Sequence, residues 1–384
     1  MNRIEFSTKG WQALLAEDFT FSNVRLVTQA ICNVLRRHQS YSDNFPPRLV
    51  IGYDNRLLGK KFAKAVEEIV IKNGFDAYVI TSPQPTPVII SAIRQLVVTG
   101  AIIITAPHLG AEYNGIKFIT ARTTSPSLEL TQDIEKESAR LADIEIPDLP
   151  IPPGETVEFN PQEPYIKHIK EIINFKKIID ADMDITVDYM YGISRGYFNT
   201  LFGSYGEFIR EIRSESHIDF KGIVPVLNKE NLSYLRQIVL NPRAYLQTGL
   251  ALDGDGSNLE IIDAKGTIVD HDLLFGLLIN YLVINRGWEG GIVKAKKHGD
   301  FAGKVAKYHK LPVHEVKEND IYLIGEEMRL KGAIMGSDLS GGYIFKNHIL
   351  ERDGILAGLL VLEIIATYQQ NLSLLISKLK AELK

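Results

Sequence analysis

Cysteine, tryptophan and methionine are scarce in this chain, whose 384 residues include one cysteine, two tryptophans and five methionines. The single cysteine, Cys32, cannot form an intrachain disulfide, and a reducing cytoplasm is the simplest compartment for such a chain. Long apolar runs are also missing, since the longest, Ile355 to Ala366, is interrupted by Glu363 and is too short to span a bilayer. The opening residues lack the apolar segment of a signal peptide. We therefore expect a cytoplasmic protein with no membrane segment.

Charge of one sign is not concentrated anywhere along the chain. The 43 basic and 47 acidic residues are well mixed and give a net charge of −4. Without a basic block, nothing in the sequence favours nucleic acid as a partner. Hydrophobic residues make up 45% of the chain, which supplies several cores, and the length predicts two or three domains.

Apolar strands alternate with helical patterns in the first part of the chain. The predicted elements are a helix capped by Ser22, strands at Arg48–Asp54, Asp76–Thr81 and Gly100–Thr105, and helices at Lys60–Asn73 and Pro87–Leu96. Near-continuous apolar strands between helices indicate an α/β fold with mostly parallel or mixed sheets covered by helices. Ligands bind such sheets beyond the carboxyl ends of the strands, so the loop after Thr105 is a candidate site.

The pattern is repeated after a proline-rich segment, Ile144 to Pro161, that reads as a linker. The later predictions are a strand at Ile185–Gly192, a helix at Gly196–Arg213, a strand from Tyr245 into an acidic turn ending at Gly256, a helix at Asp272–Arg286, a strand from Gly332 into a glycine-rich loop, a helix at Asp353–Tyr368 and an amphipathic terminal helix. The sequence therefore predicts three consecutive α/β units.

Four segments carry a resemblance to a known family. FSTKGWQA at residues 6–13 resembles its opening motif F-G-T-x-G-W-R, and GYDNR at 52–56 with ITAPHLGAEYNGIKF at 104–118 is similar to its loop T-A-S-H-N-P followed by Y-N-G-x-K. LDGDGSN at 252–258 is similar to its metal loop D-G-D-x-D-R, and the segment starting GSDLSGG at 336 resembles its sugar loop G-E-x-S-G. Together with NRGWEGGIVK at 285–294, these segments make the whole chain resemble the α-D-phosphohexomutase family of the phosphoglucomutase/phosphomannomutase type.

The resemblance implies a domain plan and a chemistry. It implies domain I at residues 1–150, domain II at 151–250, domain III at 251–370 and a terminal helix at 371–384, with the family's fourth domain absent. It also implies intramolecular transfer of a phosphoryl group on a hexose phosphate. In the family a phosphoserine carries that group, and one Mg²⁺ is held by three aspartates and a phosphoserine oxygen.

The position that matches the family phosphoserine is occupied by Pro107. A phosphoryl carrier needs a nucleophile, and proline has none. Leu109 and Gly110 replace the next two motif residues. Thr105 lies two residues earlier, at the strand end, where a packing or ladder role is expected. No catalytic residue is therefore predicted to be intact.

Two of the three matching metal aspartates remain, as Asp253 and Asp255. Ser257 stands at the third position and Asn258 at the following arginine position. One reading is a weak Mg²⁺ site, because Mg²⁺ prefers anionic oxygens. The other, which we favour, is an acidic turn in which glycines relieve strain.

Four further residues match positions beside the transferred phosphate. Gln12 stands where the family has arginine, so one phosphate-facing cation is missing. His108 and Lys117 match the family's histidine and lysine, although a solvated loop histidine and an ordinary surface lysine are equally good interpretations. Arg56 either contacts phosphate or braces the strand end.

The sugar loop keeps the most of its motif. Asp338 occupies the glutamate position and Ser340 the serine position, followed by Gly341, so these residues are predicted to bind substrate. Arg352 and Asp353 are expected to cap the helix that follows.

These observations favour a non-catalytic homologue that binds a hexose phosphate or a protein partner. The alternative is an active phosphotransferase that uses a modified site, or one completed by another chain, as the sugar loop and His108 suggest. A third hypothesis is a structural or regulatory subunit in a homo- or hetero-oligomer.

Overall fold

The computed structural model describes residues 4–38, 47–142, 144, 151–297, 299–317, 320–338 and 340–383. These residues form two compact units. The first holds the described residues up to Pro164 together with residues 217–224, and the second holds Tyr165–Ser216 and the chain from Pro225 onward. Each unit is built around sheets covered by helices, which confirms the predicted α/β class.

The first unit contains a six-stranded mixed sheet in the order β1-β5-β4-β2-β3-β6. Its strands are β1 (Trp11–Leu14), β2 (Arg48–Tyr53), β3 (Asp76–Ile80), β4 (Gly100–Ile104), β5 (Tyr113–Thr120) and β6 (Thr156–Phe159), and its helices are α1 (Phe21–His38), α2 (Gly59–Lys72), α3 (Thr86–Gln95) and α4 (Leu128–Leu141). Strands β2, β3, β4 and β6 run parallel, while β5 is antiparallel to both β4 and β1. The carboxyl ends of β2 and β4 therefore lie side by side, and the loops that leave them meet.

The helices of this unit form where apolar residues recur every three to four positions. Val24, Val27, Ile31 and Val34 are fully buried along one face of α1. After α2, the chain turns at Gly74, whose φ of 71° lies in the left-handed region that glycine adopts without strain. The three central strands predicted from the sequence are confirmed, each to within one residue.

The second unit contains two four-stranded sheets, in the orders β10-β9-β7-β8 and β12-β11-β13-β14. The strands are β7 (Asp184–Asp188), β8 (Arg210–Ile212), β9 (Gln247–Leu252), β10 (Leu259–Ile262), β11 (Ile292–Ala295), β12 (Val313–Val316), β13 (Met335–Ser337) and β14 (Tyr343–Phe345). The helices are α5 (Gln162–Ile172), α6 (Phe175–Asp180), α7 (Tyr197–Phe202), α8 (Lys229–Val239), α9 (His271–Arg286), α10 (Phe301–Tyr308), α11 (Ile321–Lys331), α12 (Gly354–Tyr368) and α13 (Leu372–Glu382). Helix α5 begins in the first unit and continues into the second.

The acidic turn joins β9 to β10, which are antiparallel neighbours in one sheet. The boundary predicted between residues 250 and 251 therefore falls inside a hairpin. The sheet that contains β7 and β8 extends at least to Ile262.

Three predictions of local structure from the sequence are wrong in detail. The helix predicted at residues 196–213 ends at Phe202, because Gly203 leaves helical geometry, and a 3₁₀ segment leads into β8. The predicted linker contains β6, which extends the first sheet beside β3, while residues 145–150 of that linker lie outside the described residues. Helix α1 is capped by Thr20, whose hydroxyl accepts the Asn23 N–H at 3.2 Å, and not by Ser22.

The predicted terminal helix is present as α13, which buries Leu372, Leu375, Ile376 and Leu379. In the described part of the chain, no single helix is both long and apolar enough to cross a membrane. Helices α12 and α13 meet that test only together, as a pair bent by 76°.

Candidate functional site

The loop that leaves β4 begins with a buried hydroxyl. The Thr105 hydroxyl donates to Asp54 Oδ2 at 2.7 Å, and the Thr105 N–H donates to the Gly115 carbonyl on β5 at 3.0 Å. Thr105 is 1% exposed and Asp54 is 2% exposed. Thr105 thus continues the ladder and ties the ends of β4 and β2 together, as expected for a residue at the strand end.

Arg56 binds backbone carbonyls of the same loop. Its guanidinium donates to the carbonyls of Gly110 at 2.6 Å, Leu109 at 2.7 Å and Tyr113 at 3.2 Å. The side chain is fully buried, with its Nε 3.5 Å from Asp54 Oδ2 and its guanidinium carbon 4.8 Å from the centre of the Phe220 ring. These three contacts with backbone carbonyls fit the bracing role predicted for Arg56, and contact with a phosphate stays a prediction.

Pro107 and His108 lie at the tip of this loop, where Pro107 is half-buried and His108 is exposed. Between Thr105 and Glu112, the imidazole of His108 is the sole side chain with a nucleophilic nitrogen, and the one hydroxyl is that of Thr105. The tip of the loop therefore presents no side-chain hydroxyl.

Gln12 and Lys117 lie on the strands that flank the loop. Gln12 on β1 pairs with Gly115, and Lys117 on β5 pairs with Ile103 of β4. Lys117 is 8% exposed, so it is not an ordinary surface lysine. The first unit therefore brings Gln12, Arg56, Lys117 and the loop with His108 to one end of one sheet.

The acidic turn in the second unit is closed by its own hydrogen bonds. Asp253 Oδ1 accepts the Asn258 N–H at 3.0 Å, while Oδ2 accepts the Asn258 side-chain amide at 2.6 Å and the Ser257 hydroxyl at 3.2 Å. Asp255 Oδ1 accepts the Ser257 N–H at 3.1 Å. Burial and the neighbouring Asp255 raise the pKa of Asp253 to about 7.

A divalent cation would need this turn to offer several unoccupied anionic oxygens. Both oxygens of Asp253 instead accept hydrogen bonds from the chain, and the third carboxylate position holds Ser257, whose hydroxyl donates to Asp253. Within the described residues, no group of three or more His, Cys, Asp or Glu side chains is placed to hold a metal ion. The residues present do not fit Mg²⁺.

The sugar loop also satisfies its own carboxylate. Asp338 Oδ1 accepts the Ser340 N–H at 2.9 Å, the Ser340 hydroxyl at 2.8 Å and the Gly342 N–H at 3.0 Å. Asp338 is 3% exposed. The φ of Gly341 is 80°, and its carbonyl accepts the Leu259 N–H at 3.2 Å, which fixes the loop against the start of β10. Three donors of the described loop residues therefore take up Asp338 Oδ1.

Arg352 does not cap the helix that follows it. Its Nη1 lies 3.4 Å from Asp338 Oδ2 and donates to Asn258 Oδ1 at 3.3 Å and to the Ser340 hydroxyl at 3.4 Å. This corrects the sequence prediction, because the side chain extends back to the two loops instead of along α12. Arg352 connects the sugar loop to the acidic turn.

Asp353 caps α12 as predicted, since its Oδ1 accepts the Leu356 N–H at 3.0 Å. Its other oxygen accepts the Tyr165 hydroxyl at 2.8 Å and lies 2.7 Å from His348 Nε2. His348 Nδ1 in turn lies 3.2 Å from Nε2 of His168. This polar network joins α5 to the start of α12 and explains why Asp353 is 1% exposed.

Sequence reasoning missed Asp54 and the roles of Asn258 and Glu351. The spacing of Asp54 and Arg56 in GYDNR held a usable signal, because an aspartate two residues before an arginine at a strand end can accept the N–H of that arginine, as it does here at 2.9 Å. Glu351 Oε1, 3.3 Å from Arg352 Nε, follows from no motif.

Comparison with family models finds matches along nearly the whole chain. Models described as "Phosphoglucomutase/phosphomannomutase, alpha/beta/alpha" domains I, II and III match residues 3–144, 163–266 and 270–382. The three matches follow one another in the family's order.

Two related sequences are named as phosphoglucosamine mutases. The chain is 30% identical over 324 residues to a probable phosphoglucosamine mutase of Pyrococcus abyssi, covering 83% of this chain and 68% of the relative. It is 28% identical over 332 residues to a phosphoglucosamine mutase of Ruthia magnifica subsp. Calyptogena magnifica, covering 85% and 72%.

Solved structures share the fold. A putative phosphomannomutase from Thermus thermophilus superposes with a TM-score of 0.87 at 24% identity, covering 99% of this chain and 84% of that one. An N-acetylphosphoglucosamine mutase from Aspergillus fumigatus, in complex with GlcNAc-6P and magnesium, gives a TM-score of 0.59 at 12% identity, covering 97% and 79%.

Proposed function

Because the chain belongs to the phosphoglucomutase/phosphomannomutase family of α-D-phosphohexomutases, we propose that it is a hexose-phosphate-binding protein of carbohydrate metabolism that lacks the serine-carried mutase reaction. In this proposal Pro107 stands at the position of the carrier serine. The names of its relatives make amino-sugar phosphates and simple hexose phosphates the substrate classes to examine.

One observation carries the proposal: the loop after β4 has no hydroxyl that can accept a phosphoryl group. The Thr105 hydroxyl is buried and donates to Asp54. A substrate phosphate therefore cannot reach this oxygen, and its proton is already engaged by the Asp54 carboxylate. A covalent carrier needs an accessible nucleophile with a base or cation beside it. Arg56, a candidate cation, is bound to the loop's own carbonyls.

Supporting losses lie outside the loop. Electrostatic stabilisation of a transferring phosphoryl group depends on metal ions and cationic clamps. Gln12 contributes no charge, and the acidic turn does not offer the oxygens that Mg²⁺ needs. Each of these differences lowers the expected rate separately.

Retention of the sugar loop supports binding without turnover. Asp338 and Ser340 provide a carboxylate and a hydroxyl, which are suited to two sugar hydroxyl groups, and Gly342 and Ser340 both donate to Asp338. Since hydrogen bonds already hold the Asp338 carboxylate in place, fixing that carboxylate on binding would cost little conformational entropy.

An active phosphotransferase with a modified carrier is the second candidate. Its motivation is His108, the exposed imidazole at the tip of the same loop, since histidine also forms covalent phosphoryl intermediates. This candidate predicts turnover that is lost in His108→Ala.

The test is a mutase assay at high protein concentration with glucose 1-phosphate, mannose 1-phosphate and glucosamine 1-phosphate, each with Mg²⁺ and the matching hexose bisphosphate. A full-length family enzyme serves as the positive control, and binding of the same sugars is measured by calorimetry. We expect no turnover together with saturable binding of at least one sugar phosphate. Turnover that persists through further purification would overturn the proposal, and loss of that turnover in His108→Ala would establish the second candidate.

A matched pair of variants separates the carrier from the rest of the site. We expect both Pro107→Ser and its control Pro107→Ala to be inactive in the mutase assay, because Gln12 and the acidic turn still lack the charges that stabilise phosphoryl transfer. Mutase turnover in Pro107→Ser alone would show that the carrier was the one missing part.

A further inference from the structure

The acidic turn and the sugar loop are joined by a buried cation that belongs to the chain itself. We propose that Arg352 is the internal counter-ion of the Asp253–Asp255 turn, so that this turn is held without a divalent cation. This inference does not depend on whether the protein binds or converts a hexose phosphate.

The contacts of Arg352 place its charge between the two loops. Nη1 reaches Asn258 Oδ1 on the acidic turn at 3.3 Å and Asp338 Oδ2 on the sugar loop at 3.4 Å, while Nε lies 3.3 Å from Glu351 Oε1. Arg352 is only 8% exposed. A buried guanidinium needs anionic partners, and its direct ones here are Asp338 of the sugar loop and Glu351, while the acidic turn contributes the amide oxygen of Asn258.

Asn258 transmits this contact to the acidic turn. The side-chain amide of Asn258 donates to Asp253 Oδ2 at 2.6 Å while its Oδ1 accepts from Arg352. One face of Asn258 therefore satisfies the carboxylate and the other binds the cation. An aspartate at position 258 could not donate to Asp253, and a carboxylate there would leave two anions facing each other.

The electrostatics are consistent with this role. Burial alone would lower the pKa of Arg352, but the carboxylates of Asp338, Glu351, Asp253 and Asp255 outweigh burial and raise it. The guanidinium therefore remains charged and offsets part of the negative charge that a divalent cation would otherwise offset.

Local backbone geometry keeps a path open for the side chain. A Cβ on Gly342 would lie 2.1 Å from Arg352 Cδ, so only glycine at this position lets the arginine pass beneath the sugar loop. The Gly354 N–H donates to the Gly256 carbonyl at 3.1 Å, which holds the segment after Arg352 against the acidic turn. Gly342 thus leaves space for the Arg352 side chain, and the hydrogen bond of Gly354 fixes the backbone that follows it.

The test compares Mg²⁺ binding by the full chain and by Arg352→Gln, with Arg329→Gln as the matched control. Arg329 forms an exposed ion pair with Glu326 on α11. Chemical unfolding is followed in millimolar MgCl₂ and in KCl of equal ionic strength, and Mg²⁺ binding is measured separately by calorimetry. A ligand that binds the folded state raises the unfolding midpoint, whereas screening by salt is the same in both solutions.

We expect no Mg²⁺-specific shift and no binding heat for the wild type or for Arg329→Gln. Arg352→Gln should unfold at lower denaturant concentration in KCl and regain part of that loss in MgCl₂, because Asp253 and Asp255 are then without their counter-ion. If Arg352→Gln does not fold, Asn258→Asp replaces it, with the same expected gain of Mg²⁺ binding. The proposal is overturned by Mg²⁺ binding to the wild type at these concentrations, or by a folded variant that gains none.

Discussion

Replacing Arg56 by methionine should destabilise the first unit far more than removing an arginine from its surface. Methionine roughly matches the length of the apolar stem but donates no hydrogen bond. The carbonyls of Leu109, Gly110 and Tyr113 then lose their donor, and the buried Asp54 loses its nearby cation. Arg56→Met therefore tests whether this arginine is a structural brace.

The expected loss follows from the contacts. Hydrogen bonds to a charged group contribute about 1.5–3 kcal/mol each, and the bonds at 2.6 and 2.7 Å are the two best formed. Removing one partner of a buried ion pair costs about 3–5 kcal/mol. Water can hydrogen-bond to the exposed part of the loop after the change and so offsets part of the loss. We therefore expect Arg56→Met to lower the free energy of unfolding by about 3–5 kcal/mol in total.

The assay is denaturant unfolding followed by the fluorescence of Trp11, which is buried in the first unit, in a background where Trp288 is phenylalanine. Arg25→Met is the control, because Arg25 forms an ion pair with Glu68 on the surface at 3.2 Å. Such an exposed pair contributes about 0.2–1 kcal/mol to the free energy of unfolding. Equal losses for the two variants would refute the bracing role of Arg56.

Two more predictions concern other parts of the chain. Gly342→Ala should lower the free energy of unfolding by about 1–3 kcal/mol, because the added Cβ overpacks against Arg352. Gly303→Ala should be neutral or stabilising, because a Cβ there meets nothing closer than 3.8 Å. Similar unfolding midpoints for the two variants would contradict this prediction. The hydrogen bond from Arg140 holds the pKa of Glu137 below its usual value of 4.5, so its contribution to stability is present above pH 4.5 and is lost as the pH falls through the folded-state pKa. Glu137→Gln should therefore flatten the fall of the unfolding midpoint on acidification, and an unchanged pH profile would exclude this role.

The fold was predictable where periodicity is strong. The fully apolar strand β4 and the helix α12 could be placed from hydrophobic pattern alone, because burial on all sides leaves an apolar run, which in α12 is interrupted by Glu363. Strand β6 escaped notice because its side chains are mostly exposed at a sheet edge and prolines precede it. The false helix at 196–213 came from apolar spacing that Gly203 and Gly206 interrupt.

The candidate site was predictable as a set of motifs but not as a set of contacts. Motif order placed Asp253, Asp338 and Pro107 on loops, and the structure puts each on a loop at a strand end. What motifs could not predict is that Arg352 reaches the acidic turn, because its contact with Asn258 joins positions 94 residues apart. Long-range pairing of this kind depends on tertiary packing, which no local pattern encodes.

Intact-mass analysis after incubation with a hexose 1,6-bisphosphate tests the central claim most directly, with a family enzyme as the positive control. The spectrum is recorded at neutral pH and again after brief acid treatment, because phosphohistidine is labile in acid whereas phosphoserine and phosphothreonine are stable. The account predicts an unchanged mass in both spectra, since the loop after β4 has no accessible hydroxyl carrier. A mass increase of one phosphoryl group that survives acid would contradict it, and an increase removed by acid and absent in His108→Ala would replace it with the modified phosphotransferase.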